Sequence, residues 1–477
     1  MSKKHKPTIG LEIHVELKTK TKMFCDSLND PLEKKPNVNI CPICTAQPGT
    51  LPVINKKAVD SVIKAGLALN CSINKKTWFE RKNYFYPDLP KGYQISQYES
   101  PLCYEGFLSI DGREIRINRI HLEEDTGKLI HDKKGHSLVD FNRAGVPLME
   151  LVTEPDIRSA EEAKKFGQEL QLIFRYLGIS DANMEKGQMR VEANISLNMG
   201  TKVEVKNLNS FRAVERAIKY EVKRQEEVLK DGGEVKHETR GWNDTKQKTF
   251  SQREKEVSAD YRYFPEPDLP PLDISSKDID KIKGEISELP QERRNRLEEE
   301  YGLNKEDIEI FVVYKYLGDF FEQAISELKA WLKSGKINTD IEKLIKPSAN
   351  YIMTEFPKYV DSENIVIIPE NFAELIYLNF IGEISSSGTQ DVLNEMFKTG
   401  EDPSHIINSK GLKQVSGEEE LGEAIDNAIK KNPSAVKDYK EGKKEAVQFL
   451  VGQVMRETRG AANPKVAAKV IKEKLKA

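Results

Sequence analysis

Residues 9–17 read IGLEIHVEL, an unbroken alternation that sets Ile9, Leu11, Ile13, Val15 and Leu17 on one side of an extended chain and Glu12, His14 and Glu16 on the other. Successive strand side chains point to opposite faces of a sheet. The stretch therefore predicts a strand with one core face and one face carrying three proton or metal ligands. The same phase returns downstream. Met189, Val191 and Ile195 alternate with Arg190, Glu192 and Asn194, and Val203 and Val205 alternate with Lys202, Glu204 and Lys206. A single strand of this kind is ordinarily the solvated face of an antiparallel sheet. Three of them, each mixing carboxylates with His, Arg or Lys, point to an open sheet face that binds something highly charged.

The chain has 477 residues, more than one ordinary core holds, and about three domains is the natural expectation. Lys plus Arg number 74 against 77 Asp plus Glu, so net charge signals neither nucleic acid nor an acidic substrate. Distribution says more. From Lys431 to Ala477 there are twelve Lys or Arg and five Asp or Glu, with positives at Lys437, Lys440, Lys443, Lys444, Arg456, Arg459 and after Pro464. Such a segment is either a solvated helical tail or a phosphate-contacting arm. Five scattered cysteines do not suggest a disulfide framework. The opening MSKKHKP is basic, but no apolar core of signal-peptide length follows it, and no run approaches the ~18 apolar residues of a membrane span. The expectation is a reducing, cytoplasmic setting without membrane attachment.

Up to about residue 275 short β-type runs and turns dominate, with helices expected at Lys56–Leu69, Ala160–Leu177 and Ser210–Lys230. The first buries Val59, Ile63 and Leu67 on one face. The second has Ser159 as its cap and Glu161 and Glu162 in the first turn, where the helix dipole favours anions. The stretch from Asp260 to Leu272, DYRYFPEPDLPPL, carries Pro265, Pro267, Pro270 and Pro271, and proline continues neither a helix nor a central strand. It marks the end of the β-rich region. Beyond it the chain is helical and charged, with a second boundary near Gly400 to Pro403. Near the end, Asn463 caps a helix whose first residue is Pro464, and Ala446, Phe449, Leu450 and Val454 form an apolar stripe expected to pack against it.

Neither GxxxxGK[ST] nor GxGxxG occurs, which argues against a P-loop or Rossmann nucleotide site. Ser385-Ser386-Ser387-Gly388 resembles an amidase serine run only superficially and reads as a flexible turn. The chain is therefore not expected to hydrolyse an amide itself. Two other segments carry chemistry. Ile120 to Asp125, IHLEED, ends in three consecutive acids, Glu123, Glu124 and Asp125, which repel one another unless a cation or arginines offset them; this favours a divalent metal, with a solvated turn as the alternative. In Val146 to Val152, VPLMELV, Glu150 stands inside an apolar run, where a carboxylate is costly unless paired or metal-bound. Several oxygen ligands suit magnesium, which completes its octahedron with waters and substrate phosphates, whereas His14 is a less typical ligand for that ion.

RKNYFYPDLPKGYQISQY at 81–98, together with IGLEIHVEL, RIHLEED, VDFNRAGVPLMELVTEPD, VEVKNLNSFR and DYRYFPEPD, resembles the B-subunit family of tRNA-dependent aspartyl/glutamyl-tRNA amidotransferases. The resemblance runs from about residue 8 to the carboxyl end. It implies an α+β protein: a glutamine-synthetase-like antiparallel β cradle over residues 1–290, an all-α linker domain over 291–402, and a small all-α tail over 403–477 that contacts tRNA. It implies two partners, an amidase A subunit that releases ammonia from glutamine and a small C subunit. The implied activity is that of a carbon–nitrogen ligase using glutamine as amide donor. ATP phosphorylates the side-chain carboxylate of Glu-tRNA(Gln) or Asp-tRNA(Asn), and ammonia then displaces phosphate.

Carried over by motif, the site comprises Glu12, His14, Glu124 and Glu192 around magnesium, with Glu150 close by in the catalytic set. Position 192 is often Asp in relatives, and Glu moves the carboxylate outward by one methylene. Lys82 and Lys206 are candidates for phosphate or channel contacts; exposed strand lysines are their ordinary alternative. Cys25, Cys41 and Cys44, in C-x15-C-x2-C spacing, outline a structural zinc knuckle, although Cys25-Asp26-Ser27 lacks the second cysteine many relatives carry there. Cys71 and Cys103 read as small buried residues. The competing functional class is a noncatalytic tRNA-binding scaffold, but acids lining a nucleic-acid face repel phosphate.

Overall fold

The computed structural model describes residues 5–131, 135–254, 261–360, 364–414, 418–443, 445–458 and 462–476. Asp260, Lys444 and Arg459 lie outside these. The chain divides into two compact units, Met1–Pro290 and Gln291–Ala477.

The first unit is built on a nine-stranded sheet. Its strands in chain order are β1 (Pro7–Glu16), β2 (Ser72–Ile73), β3 (Cys103–Ile110), β4 (Arg113–Glu124), β5 (Pro147–Thr153), β6 (Met189–Leu197), β7 (Val203–Leu208), β8 (Glu238–Asn243) and β9 (Lys248–Glu254). They lie in the order β9-β8-β7-β6-β1-β5-β4-β3-β2, so the opening strand is central. All neighbours are antiparallel except β7 and β8. That parallel pair is joined through a helix, the crossover such a pair requires.

The three expected helices form as α1 (Lys56–Ala68), α2 (Ala160–Tyr176) and α3 (Phe211–Lys230). Their starts are fixed by side-chain caps: Asn55 accepts from the Ala58 N–H, Ser159 from Glu162 and Ser210 from Ala213. Ile9, Leu11, Ile13 and Val15 share one core with Val59 and Ile63 of α1, Phe166 and Leu170 of α2, and Val214 and Ile218 of α3. The helices therefore cover the apolar face. Cys71 and Cys103 belong to this core, each seated on a glycine: a Cβ on Gly66 would overlap Cys103 Sγ, and one on Gly106 would overlap Cys71 Sγ.

The proline-rich stretch runs back along the unit. Phe264–Pro265 pairs with the strand Glu80–Asn83, which pairs with Tyr93–Ser96, and Leu272–Asp273 pairs with Lys76–Thr77. Arg81 makes a two-toothed bond to Glu266, both arms 2.7 Å, that ties the segments together.

The second unit is helical apart from an isolated bridge between Ile384 and Lys413, among the described residues. The α+β expectation is thus met. Phe320, Phe356 and Phe372 pack with their rings tilted or edge to face, centroids 4.9, 5.6 and 5.3 Å apart. Ser385 accepts from the Gly388 N–H and caps the helix Ser386–Thr399, so the serine run is a helix start where a flexible turn was expected. The last helices have their own core of Leu421, Ile425, Val447, Leu450, Val454, Val470 and Ile471. Phe449 of the expected stripe is instead 51% exposed, and Val447 takes its place. Asn463 caps the final helix through the Lys465 and Val466 N–H groups. Among the described residues no helix is long and apolar enough to cross a membrane.

Candidate functional site

The polar face of the sheet is organised in rungs across β4, β5, β1 and β6. One rung reads His121, Glu150, His14, Arg190, and the next reads Arg119, Val152, Glu12, Glu192. Directly opposed strand residues share a face, so strands distant in sequence deliver these groups side by side. His14 Nε2 lies 3.2 Å from Glu150 Oε2, 3.7 Å from Glu123 Oε1 and 4.0 Å from Glu12 Oε1. His121 Nε2 lies 3.4 Å from Glu150 and 3.8 Å from Glu123, which also accepts from the Ser96 hydroxyl at 3.1 Å. Along β6 and β7, Lys206 Nζ is 2.8 Å from Glu192 and 3.6 Å from Glu204. Lys206 is thus committed to carboxylates.

Burial disfavours charge on Glu12, His14, His121, Glu123 and Glu150, and mutual pairing decides the outcome. It works against the His14 cation, yet the hydrogen bond to Glu150 and the charges of Glu150, Glu123 and Glu12 hold the pKa up at about 9. His121 is likewise raised against its burial by Glu150 and Glu123. Glu150 and Glu123 are lowered, burial being outweighed by the two imidazoles and, for Glu123, by Lys82. Glu12 is the exception. Burial and then Glu150 raise its pKa beyond what His14 and Lys206 offset.

Three groups of ligand atoms, each within 4.8 Å of one another, are suited to a cation here: Glu12, His14 and Glu150; His121, Glu123 and Glu150; and Glu12, Glu192 and Glu204. The donors are mostly carboxylate oxygens, which fits magnesium. Glu12 belongs to two of these groups.

Of the residues singled out in the sequence, Glu12, His14, Glu150 and Glu192 come together, and Glu124 does not join them. Glu123 shares the parity of His121 and faces the cluster, so its neighbour on the strand points away. Glu124 instead receives Lys91 Nζ at 2.7 Å and the Ile95 N–H at 3.0 Å. Asp125 turns to Arg190 at 2.8 Å and Arg143 at 3.7 Å. The three consecutive acids are all buried, each with its own partners, and form neither a shared metal site nor a solvated turn. Glu123 was named only within the run of three acids, and His121, Glu204 and Arg119 were not singled out as site residues. The signal for the first two was the alternation within RIHLEED.

Above the cluster lies a cleft of about 670 Å³ lined by Glu12, Lys82, Arg119, Glu150, Lys206 and Tyr263, among others. Lys82 Nζ stands 5.3 Å from the Tyr261 ring centroid. Burial opposes its charge, but Glu123, Tyr263 and Glu150 raise its pKa.

Cys25, Cys41 and Cys44 also converge, their sulfurs within 4.8 Å of one another. Cys44 Sγ accepts from the Cys41 N–H at 3.2 Å, and the wholly buried Lys22 places Nζ 3.7 Å away. A hydrogen bond with the Cys25 thiol, against the cost of burial and helped by the Cys41 N–H and Lys22, draws the Cys44 pKa down to about 4. A sulfur held as thiolate is a metal-ready ligand, so the set fits zinc with three protein sulfurs. In the tail, Lys437, Lys440, Lys443, Arg456, Lys465, Lys469 and Lys472 are exposed, as expected.

Residues 7–280 match the family described as the GatB/GatE catalytic domain, and residues 319–475 match the GatB domain. The chain is 46% identical over 492 residues to the B subunit of the aspartyl/glutamyl-tRNA(Asn/Gln) amidotransferase of Thermotoga maritima, covering 99% of each. It is 47% identical over 485 residues to the protein of the same name from Persephonella marina, covering 98% of this chain and 99% of that one. The corresponding Thermoanaerobacter pseudethanolicus protein is 45% identical over 487 residues, with 99% of each chain covered.

Proposed function

The chain belongs to the GatB family, the B subunits of aspartyl/glutamyl-tRNA amidotransferases, and from that premise we propose that its sheet face phosphorylates the side-chain carboxylate of a misacylated tRNA and amidates it. The partners are the amidase A subunit and the small C subunit, and the setting is the cytoplasm. The substrates are Glu-tRNA(Gln), Asp-tRNA(Asn) or both. The observation that carries the reading is the convergence of Glu12, His14, Glu123 and Glu150 on one sheet face beneath an open cleft that also holds Lys82 and Arg119.

Phosphoryl transfer asks of a protein mainly positioning and charge neutralisation. Glu12, Glu123 and Glu150, with His14 once its proton is released, would hold magnesium, which when bound would neutralise phosphate oxygens. His121 braces Glu150 from the strand on the side away from His14 and pairs with Glu123 along its own strand. Lys82 offers an ammonium to the anionic groups in the cleft. Glu192 and Glu204 fix Lys206 beside Glu12. The substrate carboxylate oxygen attacks the γ-phosphorus, ADP leaves, and ammonia from the amidase displaces phosphate from the mixed anhydride. A scaffold that only bound tRNA would gain nothing from buried acids on this face, since they repel phosphate.

The direct experiment uses the complex with both partners, supplied with each misacylated tRNA. Glu150→Ala should abolish ATP-dependent amidation while glutamine hydrolysis persists at a basal rate; full amidation by that variant would sink the reading. Alone, the chain should not use glutamine.

Zinc at Cys25, Cys41 and Cys44 is the companion proposal. One equivalent per chain, lost in Cys44→Ser, is expected by elemental analysis. A wild-type protein that carries no zinc and takes none up when it is added would exclude it. Residues 403–477 are proposed as the tRNA-contacting module.

A further inference from the structure

Among the cations of the cleft, Arg119 stands apart. Lys206, which lines the cleft, is bonded to Glu192 and Glu204, and Arg190, on the rung of His14 outside the cleft lining, to Asp125. The Arg119 side chain has no hydrogen bond or ion pair among the described residues, and its Nε is buried without a partner. What it does touch is aromatic: the guanidinium carbon lies 5.6 Å from the Tyr98 ring centroid, and Tyr98 stacks on Tyr263 at 4.5 Å with an interplanar angle of 11°. A guanidinium on an aromatic face is held in orientation while its in-plane donors stay available. A buried, unsatisfied charged donor is costly and is retained where a ligand completes it.

The rung geometry says where that ligand lies. Arg119 shares its rung with Glu12, two strands away, with Val152 between them. Strands are ~4.8 Å apart, so roughly 10 Å of open floor separates the two backbones, enough for an anionic group between the side chains. Arg119 is also two residues along β4 from His121, on the same face. Lys82, which has no ion pair among the described residues, lines the same space.

We propose that Arg119, oriented by Tyr98 and acting with Lys82, is the oxyanion-binding residue of this cleft and holds the phosphoryl group of the nucleotide. The proposal rests on the phosphorylating function put forward above. A planar fork suits phosphate oxygens, which accept two parallel N–H bonds. The acids on the neighbouring rung supply the cation-binding side of the same group. Arg119 thereby turns a carboxylate-lined pocket, which alone repels nucleotide, into one of balanced charge.

The substrate carboxylate is an oxyanion too, and the test separates the two sources. In the three-subunit complex, Arg119→Ala and Arg119→Lys are compared for kcat and for KM of ATP and of aminoacyl-tRNA, alongside glutamine hydrolysis and thermal midpoint. Loss of a charge-assisted two-toothed bond predicts an ATP kcat/KM about 10- to 100-fold lower in Arg119→Ala. KM for aminoacyl-tRNA and basal glutamine hydrolysis should stay within about twofold. Added guanidinium should restore part of the Arg119→Ala rate and leave wild type and Arg119→Lys unchanged, which a merely structural role would not produce. If Arg119→Ala does not fold, Arg119→Lys carries the test, because an ammonium keeps the charge and loses the fork. Unchanged ATP kinetics in the folded variants overturn the proposal, as does a defect confined to aminoacyl-tRNA KM, which assigns Arg119 to the carboxylate. Absence of ATP turnover in wild type overturns the function itself, a different result from either.

Discussion

His14 and Glu150 face each other across the ladder between β1 and β5, with Nε2 3.2 Å from Oε2 and both groups largely buried. Glu150 is gripped a second time by His121, 3.4 Å away. A carboxylate inside an apolar run is thereby stabilised by two imidazoles contributed by strands on either side of its own. Removing one partner of a buried charge pair strands the other, which costs about 3–5 kcal/mol. Glu150→Ala should accordingly lower the unfolding free energy by that order as well as abolish ATP-dependent amidation. Chemical denaturation of the variant beside wild type measures the first. Unchanged stability would mean the imidazoles are neutral.

The two neighbouring acids of IHLEED should separate by phenotype. Glu123 faces the cluster and Glu124 faces Lys91. Glu123→Gln is expected to reduce ADP formation at least 100-fold, roughly the scale of losing one group that stabilises transition-state charge. Glu124→Gln should retain most ATP turnover and show instead as reduced stability, since Lys91 and the Ile95 N–H lose their carboxylate. Equal loss of ADP formation in both variants would place Glu124 in the nucleotide site.

Close packing predicts a coupled pair of effects in the core. A methyl group on Gly66 would overlap Cys103 Sγ. Gly66→Ala should destabilise by about 1–3 kcal/mol, the range for overpacking. Cys103→Ala in the same chain should recover part of that loss, because the two sites touch and their effects do not add. A strictly additive double mutant would show that α1 shifts instead of clashing.

The tail offers a test by salt. Its core of Leu450, Val454, Val470 and Ile471 is its own, and its lysines point outward. Removing residues after Gly411 should leave ATP and ammonia chemistry in place, raise KM for aminoacyl-tRNA about tenfold or more, and flatten the salt dependence of tRNA binding. That slope falls by about one unit for every phosphate the tail no longer neutralises. Affinity and slope unchanged by truncation would leave the tail without an RNA role.

What the sequence determined was what depends on near neighbours along the chain. The period-two alternation of residues 9–17 marked β1 and its two faces, and period and caps located α1, α2 and α3, because a strand's faces and a helix's orphan N–H groups are settled within a few residues. Glu150 was legible as a site residue because its apolar surroundings make an unpaired carboxylate untenable. Long-range order was not legible. The order β7-β6-β1-β5-β4 decides that His121, Glu150, His14 and Arg190 share a rung, and nothing in the spacing of 121, 150, 14 and 190 encodes it. Parity within RIHLEED allowed either Glu123 or Glu124 to face the ligand, and only the pairing of β4 with β5 chose Glu123. Lys206 reads as a phosphate contact until Glu192 and Glu204 stand beside it, and Arg119 reads as nothing in particular until the fold leaves its side chain without a hydrogen bond or ion pair among the described residues. Charge on a side chain is local information, but whether that charge is already spent is a property of what the fold brings within about 4 Å of it.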